Sequence, residues 1–169
     1  MPECPAGGPA SYGDVMPIPD FIVRLREKIG HDPLWLPGVT AVVIDDGNVL
    51  LVRRSDNGAW APVTGIVDPG EHPAQAAVRE TLEETGVSCA VEHLVWVHVT
   101  APTVHVNGDQ AQYLDHTFRC RYLGGTPHVA DDESLEVRWF ALDDLPTMSA
   151  NLIERITLAA DHQGAARID

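Results

Sequence analysis

Residues 65–87 read GIVDPGEHPAQAAVRETLEETGV, and the fold of the chain turns on this run. Pro73 suits the first turn of a helix, where its missing N–H would have had no helical partner. An alanine-rich stretch follows it, and Gly86 suits a left-handed C-terminal cap. At about 100° per residue, Ala74, Val78, Thr81, Leu82 and Thr85 gather on one side of that helix. Glu80, Glu83 and Glu84 gather on the opposite side at i, i+3 and i+4, with Ala76 and Ala77 beside them. The expected helix therefore has an apolar face backed by a carboxylate face.

Those carboxylates are badly placed for a purely structural helix. Like charges at this spacing destabilise by roughly 0.2–0.5 kcal/mol per pair. They also crowd the C-terminal half, where the helix dipole disfavours anions by about 0.3–1 kcal/mol each. A divalent cation reverses the sign of both effects, because hard cations such as Mg²⁺ take oxygen ligands. A solvated acidic face is the plainer alternative for the glutamates taken alone.

The wider spacing favours the metal. Gly65, five residues, Glu71, seven residues, then Arg79, Glu80, Glu83, Glu84, Gly86 and Val87 resembles the signature of the Nudix hydrolases. Thr81 is the one departure, standing where an aliphatic residue is expected, and it lies on the core-facing side. A pattern this long is far more specific than a lone glycine motif. The resemblance implies an α/β fold, the Nudix-like α/β/α sandwich with a mixed β-sheet.

Composition sets the outer limits. The 169 residues suit one domain plus extensions, and the formal charge of −14 argues against nonspecific nucleic-acid or anionic-membrane partners. A small phosphorylated nucleotide stays open as a partner, since a metal can bridge two anionic groups. Cys4, Cys89 and Cys120 show neither paired nor zinc-like spacing. No signal-peptide pattern or membrane-length apolar run is visible, so the expected setting is cytoplasmic.

Residues 1–19, rich in proline and glycine, read as an arm, and residues 20–169 as a single domain. Asp20 is expected to cap a short helix over residues 20–29 whose Phe21, Leu25 and Ile29 share a face, with Gly30 as its stop. Trp35 in the extended stretch beyond it packs against the domain or a second subunit, which allows a homodimer, or stacks on a base. TAVVID and NVLLVRR are β-rich runs around an Asp46-Gly47 hairpin turn, apolar enough to be covered on both faces. Arg53 and Arg54 end the second run. One faces solvent, and the other reaches a substrate phosphate or a salt bridge. Two long strands follow the motif helix, one over SCAVEHLVWVHVTA and one over AQYLDHTFRCRYL, joined by a loop containing Asn107-Gly108-Asp109. LEVRWFALDDL reads as a further strand, with Trp139 inward. A last helix around 148–160 carries Leu152, Ile156 and Ala159 or Ala160 on one face.

The resemblance also implies a chemistry. Nudix enzymes use water to cleave the diphosphate link of a nucleoside diphosphate joined to a further group X. By resemblance Glu80 and Glu84 are the firmest Mg²⁺ ligands (Mn²⁺ as substitute), Glu83 shares the site, and the Gly65 carbonyl completes the shell. Glu71 and Arg79 are structural support, pairing loop to helix. The general base is Glu80 in some relatives and an acidic residue outside the motif in others. The candidates here are Glu133 and Glu136, then Asp115, which is also a candidate substrate contact. Among eight histidines, His116 beside Asp115 is the one worth testing. A nucleoside triphosphate, oxidised or not, is the favoured substrate. ADP-ribose, a nucleotide sugar and a non-catalytic nucleotide-sensing module are the alternatives. An isoprenoid diphosphate isomerase would need Cys89 or Cys120 at the site.

Overall fold

The structure is a computed structural model and describes residues 18–169; the arm expected over residues 1–19 falls almost wholly outside them. The order is α1 (Asp20–Ile29), β1 (Leu34–Asp45), β2 (Asn48–Arg54), β3 (Trp60–Ala61), β4 (Val63–Ile66), α2 (Pro73–Thr85), β5 (Ser88–Val99), β6 (Thr103–Val104), β7 (Gln110–Gly124), β8 (Ser134–Ala141), α3 (Ala150–Ala160) and β9 (Arg167–Ile168). The short β6 and β9 lie outside the strands expected from sequence.

β1 is the axis of the sheet. It runs parallel to β7 from Leu34↔Ala111 to Ile44↔Arg121, and β7 pairs antiparallel with β5 on its far side. Asp46 and Gly47 both take positive φ, 41° and 75°, as a tight hairpin turn between right-twisted strands requires. The hairpin they close is short, holding only Ile44↔Val49 and Asp45↔Asn48 in register. β2 then leaves β1 to pair with β8, and the edge of β1 so freed takes β4 over Gly38–Ala41. That divergence opens the sheet beside β4, which carries Gly65.

Strand side chains alternate between faces, so β1 feeds two cores. Val39, Ala41 and Val43 join Leu50, Phe118 and the inner face of α2, whereas Val42 joins Val49, Leu51 and Trp96 beneath Ile156 and Ala159 of α3. This is the expected mixed sheet covered by helices on both faces. Trp139 packs against the α2-side core, and Cys89 and Cys120 are buried within it, away from solvent. No helix among the described residues is long and apolar enough to cross a membrane.

Several local expectations are corrected. Pro19, not Asp20, caps α1, its carbonyl accepting from the N–H groups of Ile22 and Val23; Asp20 is already in the first turn. Ile22 is the buried anchor, against Leu36 and Ala111, while Leu25 is exposed. The inward face continues from Ile22 to Arg26 one turn on, because Arg26 finds polar partners at the sheet end that an aliphatic side chain could not use. Trp35 is 56% exposed, so it does not pack against its own domain. α3 starts at Ala150, capped by Ser149, whose Oγ accepts from the Leu152 N–H.

The motif helix departs furthest. In α2 it is Ala76, Ala77, Thr81 and Thr85 that are fully buried, and Leu82, expected inside, is half exposed. Small side chains let the helix lie close on the sheet, and Thr81 satisfies its hydroxyl on the Ala77 carbonyl at 2.7 Å. The inward face therefore includes Glu84, which is only 4% exposed. The carboxylates are not backed away from the core; one of them is inside it.

Candidate active site

A cleft of about 890 Å³ opens where α1, the β4–α2 junction, the segment before β8 and the start of α3 meet the sheet. Gly65 at its rim needs no special φ, but a Cβ there would overlap the Glu80 carboxyl group, so the glycine allows that side chain to lie against the strand. Val63 is buried in the core, and Thr64 turns its hydroxyl toward Arg54 at 3.4 Å.

Arg79 organises the glutamates. Its Nε and Nη2 donate to the two oxygens of Glu71 at 2.9 and 3.0 Å, and Nη2 also reaches the Ile66 carbonyl at 3.2 Å. Glu71 in turn accepts from the Asp68 N–H. This clamp fixes the loop to the helix, with Glu71 held below the usual carboxylate range mainly by its hydrogen bond from Arg79. The remaining Nη1 lies 2.9 Å from both Glu80 and Glu83.

Glu84 stands apart. Its closest hydrogen-bond partner is the Ser134 hydroxyl, at 3.5 Å. Burial, reinforced by Glu133, Glu80 and Asp131, pushes its carboxyl up to about 9; burial likewise lifts Glu80 to about 7 against the pull of Arg79. Among the described residues no three acidic or histidine side chains converge closely enough to hold an ion as they stand, since Arg79 draws Glu80 and Glu83 to itself. The donor set nonetheless fits a hard divalent cation: it is all oxygen, and it includes a buried carboxylate lacking a cationic partner at hydrogen-bond distance.

The remaining candidates divide. Arg54 points into the cleft, bonded to Asp56 at 2.7 Å, whereas Arg53 is exposed and reaches only the Gly58 carbonyl. Glu133 lines the cleft with its carboxyl raised, chiefly by burial. Glu136 does not reach it, lying on β8 beside Arg138. Asp115 lines the floor, but both oxygens are taken, one by Thr40 at 2.9 Å and the other by Thr117 and Arg155. Those three bonds, one of them from the buried Arg155 guanidinium, hold it as an ion-paired structural carboxylate rather than a free acceptor facing the cleft. His116 turns Nδ1 to the Gly38 carbonyl at 3.0 Å. Cys89 and Cys120 do not line the cleft, which removes the basis for an isomerase.

Sequence reasoning missed Arg155, Arg26 and Asp109. Arg155 is 3% exposed on α3 beside the Ile156 stripe; a charge so placed was the available signal. Asp109, in what read as a plain turn, accepts from His31 at 2.7 Å and lies 3.4 Å from Arg26, tying α1 to the cleft wall.

With this geometry in view, the NUDIX domain family matches residues 35–160 of the chain. The chain belongs to the Nudix family. It is 32% identical over 121 residues to a MutT-like protein of Streptomyces ambofaciens, spanning 71% of this chain and 73% of that one. It is 30% identical to the 8-oxo-dGDP phosphatase of Homo sapiens over 88% of this chain, yet spans only 44% of the human protein. A solved UDP-X diphosphatase superposes with a TM-score of 0.65 at 26% identity, covering 88% of this chain and 74% of that one. Membership makes this Nudix chain a hydrolase of phosphoanhydride bonds, in a family that generally needs a divalent metal.

Proposed function

We propose that the chain is a Mg²⁺-dependent nucleoside diphosphate-X hydrolase whose preferred substrate is a nucleoside triphosphate, oxidised purine triphosphates included. The observation that carries this reading is Glu84, a buried carboxylate near enough to Glu133 and Glu80 for their charges to raise it, with no cation at hydrogen-bond distance among the described residues. Glu80 and Glu84, with Glu83 and the Gly65 carbonyl, would hold Mg²⁺, which neutralises charge on the diphosphate and acidifies the attacking water.

The protein's own part is positioning, as phosphoryl chemistry demands. Arg79, locked on Glu71, sets the direction of the glutamate helix. Arg54 offers a guanidinium to a phosphate oxygen from the opposite lip. Glu133, which lines the cleft, accepts the proton of the attacking water. The name of the 8-oxo-dGDP-cleaving relative supports a nucleotide with an oxidised base. The similarity to a UDP-X diphosphatase favours nucleotide sugars as the second reading.

The test is a panel of dGTP, 8-oxo-dGTP, 8-oxo-dGDP, ADP-ribose and UDP-sugars with Mg²⁺ or Mn²⁺, run beside Glu84→Gln. Turnover of the triphosphates, abolished in a folded Glu84→Gln protein, is the expected result. Cleavage of UDP-sugars alone would move the assignment to the second reading, and no cleavage of any would leave a nucleotide-sensing module.

A further inference from the structure

The segment between β7 and β8 is fastened to the wrong end of a helix for a mere connection. The last carbonyls of a helix lack intrahelical partners. Here the Thr85 carbonyl accepts from the His128 N–H at 3.1 Å, and the Glu84 carbonyl from the Ala130 N–H at 3.2 Å. Gly86, in the left-handed cap with φ 67°, lies directly beneath the His128 imidazole, so a Cβ there would overlap the ring. The ring is fixed in turn by its Nδ1, 2.9 Å from the Thr126 carbonyl. Gly125 presses its Cα side onto the Gly86 carbonyl from the same direction.

What this fastening carries is Glu133, three residues beyond Ala130. The main chain of Glu133 is held on both sides: its N–H bonds Asp131 Oδ1 at 3.0 Å, and its carbonyl accepts from the Ser55 N–H at 2.9 Å. One end of this short span is thus moored to the helix that bears Glu84, and the other to the loop that bears Asp56. His128 itself is exposed, as are its neighbours Val129 and Ala130. Apolar burial therefore does little to hold the span, and its anchorage rests on the two backbone hydrogen bonds to the end of α2 and on the ring seated over Gly86.

We propose that His128 is a positioning residue: seated on Gly86 at the end of α2, it sets where Glu133 stands in the cleft relative to Glu84. The inference rests on the reading of Glu133 as the base, and the test separates the two. Steady-state kinetics on dGTP and 8-oxo-dGTP with Mg²⁺ are compared for His128→Ala, Glu133→Gln, the double variant and His128→Phe. Expected are a fall in kcat of about tenfold for His128→Ala with KM little changed, no further loss on adding it to Glu133→Gln, and recovery in His128→Phe, whose ring also covers Gly86. Hydrogen exchange should show the amides at positions 128 and 130 losing protection in His128→Ala while the interior of α2 keeps its own.

Unchanged kcat in His128→Ala beside an impaired Glu133→Gln overturns the positioning role and leaves the base intact. Losses that multiply in the double variant overturn it equally. A Glu133→Gln protein that turns over normally overturns the assignment of Glu133, and the role of His128 with it.

Discussion

Asp115 on β7 and Arg155 on α3 form an ion pair buried beneath the cleft, with side chains 8% and 4% exposed. Thr40 and Thr117 complete the shell, and the guanidinium lies 5.3 Å from the centre of the Trp96 ring. A carboxylate first counted among the site candidates is thereby a tie between the sheet and the last helix. Removing one partner strands a buried charge, at about 3–5 kcal/mol. Asp115→Asn and Arg155→Met should each lower stability by that order in urea denaturation. The double variant should recover at least half of the loss, since neither charge is then left alone. Additive losses would show that the two side chains act independently.

This pair also marks where the sequence is readable and where it is not. The Gly65–Val87 spacing, the Asp46-Gly47 turn and the continuous apolar run of TAVVID are local signals, and each has its place in the structure. The inner face of α2 was misread because helical periodicity rewards large apolar residues such as Leu82. The sheet instead demanded small ones, Ala76 and Ala77, at close approach. Asp115 and Arg155 are 40 residues apart in sequence, and nothing local pairs them. Arg54 against Arg53 was decided by strand pleat, which the bulge at that point in the β2–β8 pairing obscures.

Gly65 offers a cleaner probe of the glutamates than any change to them. Its backbone is open to other residues, so a substituent acts only by pushing the Glu80 carboxyl it would overlap. Gly65→Ala should fold normally by circular dichroism and bind Mn²⁺ about 10–100-fold more weakly, the range expected when support for a metal ligand is disturbed. Calorimetric titration with Mn²⁺ reads this without reference to substrate. Unaltered affinity would mean that the contact between Gly65 and Glu80 has no part in binding the ion.

Glu84 predicts how stability follows pH. Its carboxyl is raised from 4.5 to about 9 in the folded, metal-free chain. Between those values the folded state keeps a proton that the unfolded state has released, so stability falls as pH rises through that window. In chelator the melting temperature of the unaltered protein should drop between pH 5.5 and 8.5 relative to Glu84→Gln, which has no proton to lose there. Metal binding requires the carboxylate form, so affinity should rise with pH over the same range as about one proton leaves per ion bound. Glu80, lifted to about 7 by burial, also titrates in this interval and is common to both proteins. The decisive quantity is therefore the difference between the two melting curves: if it stays flat with pH, Glu84 is already ionised in the folded chain.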